Sequence, residues 1–268
     1  MRLVDSHCHL QADRFDDDVD EVLARAQAAG VERILVPGWD LASSHGALAL
    51  VGRHPWLDAA VGIHPHDAAE AGAGDWAAVE ALARDPRVVA IGETGLDYDR
   101  LFSPREAQLA NLRRHLALGL ALGKPVILHC RSAIGSTEAH DALLRELEAA
   151  RLGTPAAAPV GGRVPAVMHS FSGSAAFAHE VLELGLAISI SGLAFRKGEE
   201  PTLAEVVPVV PRDRLLVETD SPFLSPPGAP RRRNEPEWVR ITAAALVPPG
   251  DGGGELVATY DRIFARTS

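Results

Sequence analysis

The chain has 268 residues, 47% of them hydrophobic, and a formal net charge of −10, so it can bury a large core. An acidic total argues against a protein that coats nucleic acid by long-range attraction, because phosphate binding draws most of its affinity from Lys and Arg. It does not exclude a nuclease, since a bound divalent ion adds local positive charge that the formal count omits, while 5% aromatic residues give no evident extended platform for stacking bases.

Read from the first residue, the chain meets Asp5, His7 and His9 before any signal-like apolar region forms, and no later apolar run is long enough to span a bilayer. The expectation is a cytoplasmic protein without membrane contact or an obligate protein partner. Cys8 and Cys130 each sit beside a histidine in a strand-like run, where alternation turns them to the opposite face, and are expected as buried free thiols.

Short runs rich in Val, Ile and Leu predict strands over 3–6, 33–37, 59–63, 88–92, 126–129, 166–169, 186–190 and 215–218. Helical stretches separate them. Val19, Val22, Leu23 and Ala26 share a face that Gly30 ends, and Ser103, Pro104 and Glu106 predict a capped start for a helix running through 109–122 to Gly123. Eight strands alternating with helices, without a Gly-rich phosphate loop, favour an α/β fold of the (β/α)₈ TIM-barrel type over an open doubly wound sheet. One domain over 1–268 is expected, with loops at 154–165 and 248–254.

Barrel enzymes carry their chemistry at the carboxyl ends of the strands. His7-Cys8-His9 follows the first predicted strand, and two histidines at period two point the same way. Alone this pair is a weak signal. Later strands end in Gly62-Ile63-His64-Pro65-His66, Gly92-Glu93-Thr94-Gly95-Leu96-Asp97, His129-Cys130-Arg131, His169-Ser170-Phe171-Ser172-Gly173 and Glu218-Thr219-Asp220-Ser221-Pro222.

Four histidines and two carboxylates exceed what one tetrahedral site needs, so two divalent ions sharing a carboxylate are the economical arrangement. Glu93 is the natural bridge: His7 and His9 with Glu93 and Asp220 for one ion, Glu93 with His129 and His169 for the other. A mononuclear centre, with His129 or His169 only orienting substrate, is the alternative. Nitrogen and oxygen ligands without sulfur suit zinc, manganese or magnesium. The chemistry indicated is hydrolysis, with Asp220 also taking the proton of the attacking water and His64 either binding substrate oxygens, holding a carboxylate or serving as a buried polar residue.

Taken in order, these motifs, together with Pro125-Val126-Ile127-Leu128 before His129, resemble the TatD family of metal-dependent hydrolases within the amidohydrolase superfamily, across nearly the whole chain. The resemblance implies a (β/α)₈ fold, two divalent metals and phosphodiester hydrolysis, typically as a deoxyribonuclease with 3′-to-5′ exonuclease character. It implies His7, His9, Glu93, His129, His169 and Asp220 as ligands, with His64 near the scissile phosphate. DNA ends are the expected substrate and RNA ends a second one; ester or amide hydrolysis, as in aminoacyl-tRNA deacylation, is the competing reading.

The chain departs from the family pattern at Asp99, where a second aromatic is frequent, and at Ser170, where cysteine is usual. Pro230 and Arg231 stand where the family commonly has an arginine and a glycine, which makes Arg231 the candidate for that phosphate contact. Arg131 and Asn234 join it as candidate substrate contacts, with Arg196, Lys197, Arg232 and Arg233 as further basic groups on the same rim.

Overall fold

A computed structural model describes residues 1–151, 164–199, 202–247 and 253–265. Eight strands pair in chain order, each parallel to the next: β1 (Leu3–Asp5), β2 (Val31–Pro37), β3 (Leu57–Val61), β4 (Val88–Asp97), β5 (Val126–Arg131), β6 (Ala166–Met168), β7 (Ala187–Ile190) and β8 (Leu215–Val217). Helices α1 (Val19–Ala28), α2 (Leu41–Arg53), α3 (Ala73–Leu82), α4 (Arg105–Leu122), α5 (Glu138–Ala149) and α6 (Ala175–Glu183) alternate with them, and α7 (Val239–Leu246) and α8 (Gly254–Ile263) follow. The barrel closes where the Ser6 N–H donates to the Val217 carbonyl at 3.0 Å and Cys8 bridges Ser221. This is the expected TIM-barrel architecture.

Three local expectations change. The connection between β7 and β8 carries no α-helix among the described residues, only short 3₁₀ and π turns from Gly192 to Arg214. Pro208 and Pro211 lie within it, and proline supplies no amide for a helical ladder. Ser103 does not cap α4. Its hydroxyl donates to the His66 carbonyl at 2.7 Å and accepts from Ala69 N–H at 3.0 Å, while Pro104 holds the cap position. β4 runs through Asp97, beyond the expected 88–92, because Thr94 to Asp97 pair with Leu128 to Arg131 of β5. Gly123 ends α4 as expected, at φ 64°. The expected loops at 154–165 and 248–254 lie largely outside the described residues.

At the amino ends of the strands the barrel is plugged by α8. Tyr260 donates to Asp58 Oδ2 at 3.0 Å, and Arg33 binds the same oxygen through Nη2 at 2.5 Å. Asp58 is fully buried, so both donors offset the cost of taking its charge out of water.

α4 positions the other end. Asn111 donates to the Ile63 carbonyl at 2.7 Å and to Thr94 Oγ1 at 3.2 Å. His115 accepts the Ile63 N–H at Nε2 (2.9 Å) and donates from Nδ1 to the Asn111 carbonyl (2.8 Å). Both ring nitrogens are used in the neutral form, and burial pushes the imidazole down from 6.5 to about 4. In the unfolded chain it titrates near its ordinary value, so the stability it contributes is present above pH 6.5 and is lost as pH falls through about 4. That window amounts to roughly 3 kcal/mol. His115→Gln keeps an acceptor that does not titrate; denaturant unfolding in chelator at pH 7 and pH 4.5 is expected to show a smaller acid loss than in the parent, and equal losses would refute the assignment.

Candidate metal centre

The strand ends bring the predicted ligands together through backbone pairing. After β1 the chain stays extended: the Cys8 N–H donates to the Leu35 carbonyl at 3.0 Å and the His9 N–H to the Ser221 carbonyl at 2.7 Å. Alternation then sends His7 and His9 to one side, with Cys8 buried as a free thiol, like Cys130. Asp5 stays below them. Its carboxylate accepts from the Thr219 hydroxyl at 2.5 Å and the Thr219 N–H at 2.9 Å, tying the end of β8 to β1. Asp220 follows at φ 55°, a left-handed conformation that short polar side chains tolerate, and its Oδ1 lies 3.4 Å from His9 Nε2 and 3.8 Å from His7 Nε2.

Glu93 reaches the centre because β4 carries one extra residue there. Ile91 pairs with Val126 but Thr94 with Leu128, so three steps on β4 match two on β5. Such a bulge re-aims a side chain. Glycines make the crowding possible: a Cβ on Gly62 would sit 2.5 Å from Gly92 Cα, and one on Gly95, at φ 136°, would overlap the His129 carbonyl. The Glu93 amide is anchored on the Gly38 carbonyl at 2.8 Å.

The two oxygens of this buried carboxylate face different histidines. Oε2 lies 3.1 Å from His7 Nε2 and 3.7 Å from His9 Nε2. Oε1 lies 2.9 Å from His169 Nε2, 3.2 Å from His64 Nε2 and 3.3 Å from His129 Nδ1. Burial alone would push the Glu93 carboxyl up, yet His169, His64 and His7 hold it well below the usual carboxylate range. His169 is driven well upward against its burial by Glu93 and Glu218. Asp220 is lowered against burial by His9 and His7. His64, by contrast, is pushed down to about 4 by burial.

The nitrogens also face one another. His7 Nε2 is 3.2 Å from His9 Nε2, and His129 Nδ1 is 3.2 Å from His169 Nε2. Ligand atoms 2.0–2.1 Å from a tetrahedral ion are roughly 3.3 Å apart, so the spacing suits a divalent cation. Among the described residues three groups could hold one: His7, His9 and Asp220; His7, His169 and Glu218; and His64, Glu93 and His129, each with ligand atoms within 4.8 Å. Outer hydrogen bonds select the free nitrogen. His169 donates from Nδ1 to Glu218 Oε1 at 3.2 Å, which directs Nε2 inward, its lone pair open to an ion once the ring is neutral. His64 differs: its Nδ1 accepts from the His66 N–H at 3.1 Å, so the neutral ring carries its proton on Nε2 and donates into the cluster.

Asp97, His66 and Glu218 had no role from sequence reasoning. His66 Nε2 lies 2.7 Å from Asp97 Oδ2, and His129 Nε2 lies 3.5 Å from the same oxygen. Each stood inside a motif already singled out, and Glu218 shares the face of Asp220 at period two. The predicted substrate contacts do not converge in the same way. Arg131 is exposed and pairs with Asp99 Oδ2 at 2.8 Å; Arg231 is exposed. Asn234 is fully buried, its amide donating to the Thr219 carbonyl at 3.0 Å and the Phe223 carbonyl at 2.8 Å. It therefore anchors the loop after β8 rather than presenting its amide to a substrate. Arg233 is taken by Asp18 and Glu235.

Residues 4–250 match the family model described as TatD related DNase. A Klebsiella pneumoniae protein named 3′-5′ ssDNA/RNA exonuclease TatD is 39% identical over 249 residues, covering 91% of this chain and 89% of that one. Bacillus subtilis YabD, named an uncharacterized metal-dependent hydrolase, is 38% identical over 245 residues with the same coverages. The crystal structure of YJJV, a TatD homologue from Escherichia coli, superposes with a TM-score of 0.84 at 31% identity over 98% of both chains. With this cluster at its strand ends and these relatives, the chain belongs to the TatD family of metal-dependent hydrolases.

Proposed function

We propose that this chain is a nuclease that removes nucleotides from DNA ends in the 3′-to-5′ direction, and from RNA ends as well, with two divalent metal ions of the zinc, manganese or magnesium class. The observation that carries the reading is the divided Glu93 carboxylate, one oxygen toward His7 and His9 and the other toward His129 and His169. The name of the Klebsiella relative supports the substrate. Two buried free thiols agree with a cytoplasmic setting, and no helix among the described residues is long and apolar enough to cross a membrane.

His7, His9, Glu93 and Asp220 would hold one ion; Glu93, His129 and His169 the other. Bound ions would make a water acidic enough to supply hydroxide near neutral pH and would neutralise charge on the phosphate. Asp220, held ionised by its histidine neighbours, is placed to take the water proton at a carboxylate oxygen. His64, neutral and protonated on Nε2, donates toward Glu93 and is available to a phosphate oxygen. Glu218 fixes the His169 ring, and Asp97 faces the outer nitrogen of His129.

The purified chain, assayed on single-stranded and duplex DNA with manganese, magnesium or zinc, is expected to shorten single strands from the 3′ end; metal-loaded protein that cuts no strand would sink the proposal. Asp220→Asn should lower kcat by about 10²–10⁴-fold, and near-normal turnover would remove it as the base. Elemental analysis of Glu93→Ala is expected to show at least one of two ions lost per chain, whereas unchanged stoichiometry would remove the bridge.

A further inference from the structure

Among the described residues, the large hydrophobic side chains that remain substantially exposed are Met1, Leu101, Phe102, Leu120, Ile134 and Phe223. Single exposed apolar residues are ordinary. The placement of the two aromatic ones is not random with respect to the site. Phe102, 66% exposed on the loop after β4, lies nearly perpendicular to the His66 ring with centroids 4.7 Å apart. His66 in turn lies 4.2 Å from His64, whose Nε2 faces Glu93 Oε1. Phe223, 49% exposed on the loop after β8, lies steeply inclined to the His9 ring with centroids 6.1 Å apart, and His9 faces Glu93 Oε2 and Asp220. One ring therefore stands on the outer side of the histidines that face each oxygen of the divided carboxylate.

Each phenyl ring keeps about half or more of its surface exposed, which leaves area for another flat group. Arg14 lies over one face of Phe223 at 5.6 Å and is itself exposed, which adds a cation at that ring for a phosphate. An aromatic face beside a cation, next to a site for phosphodiesters, is the arrangement that receives unpaired bases. A base inside a duplex has both faces covered by its neighbours and cannot use it.

We propose that Phe102 and Phe223 are stacking platforms for unpaired bases on either side of the bond to be cut, so that the chain recognises its substrate by base faces as well as by phosphate. This rests on the phosphodiesterase reading and adds to it a requirement for the bases themselves, without preference among them, because every base has a stackable face.

The test compares a single-stranded DNA decamer with the same decamer whose last two 3′ nucleotides are abasic. The parent is expected to have a kcat/KM at least about tenfold higher for the complete end. Phe102→Leu and Phe223→Leu keep apolar bulk without a ring and should each lower that ratio several-fold, while Phe102→Trp and Phe223→Trp retain it. A second readout needs no turnover: with manganese present and the terminal linkages made cleavage-resistant phosphorothioates, a 3′-terminal 2-aminopurine should be quenched on binding to the parent and less quenched with the Leu variants. Ratios and quenching equal to the parent's in both Leu variants would overturn the platforms and leave the nuclease reading standing. A parent that cuts neither decamer with any metal refutes the nuclease reading, and the fluorescence then decides the platforms alone, an unquenched probe overturning them.

Discussion

One buried carboxylate organises the open end of this barrel. Glu93 is 2% exposed and surrounded by five imidazoles from four strand ends, a position in which an ionised group without partners would be strongly destabilising. Those imidazoles are what hold it ionised. The dependence is mutual: Glu93 is the one carboxylate that all five of these rings face, while Asp220, Glu218 and Asp97 each meet only one or two of them. The β4 bulge and the close approach of Gly62 to Gly92 are the backbone conditions for that geometry, so the chemistry of the site is rooted in how closely β3, β4 and β5 can approach.

The repeat of apolar runs and helical faces was enough to read a barrel, because a parallel sheet buried on both sides needs continuous apolar strands and a covering layer. The convergence of His7, His9, Glu93, His129, His169 and Asp220 was legible too, since each follows an apolar run and such ends meet on one rim. What escaped was mostly second-order. Ser103 and Asn234 look like an ordinary cap and a rim amide; their actual partners, the His66 and Thr219 carbonyls, are distant in sequence. Asp97 and Glu218 acquire their roles only from the ring nitrogens they face, which no spacing rule supplies. The β7 to β8 connection lost its expected helix to prolines that a pattern of apolar strands does not weigh.

The acidic total loses its force once the charges are placed. Many arginines are spent on carboxylates along the outside, as in Arg2 with Glu32, Arg113 with Glu146 and Arg233 with Asp18. Exposed pairs of this kind are worth little individually, and they leave only part of the basic complement for a ligand. The centre itself holds carboxylates in a nest of imidazoles, which attracts cations before it attracts phosphate. Anion binding on such a surface depends on the cation already held there, so net charge predicts the partner poorly.

The same logic applies to the aromatic content. A low overall fraction excludes a long stacking track of the kind that coats a strand, but it says nothing about two rings placed at one point. A hydrolase that acts at a chain end needs to grip only the few nucleotides around the bond, and binding energy there is used at the reacting phosphate. The barrel buries its core without Phe102 or Phe223, both of which stay exposed. The loops after β4 and β8 carry Phe102 and Phe223 exposed at the open end, where the value of a ring lies in what it can bind.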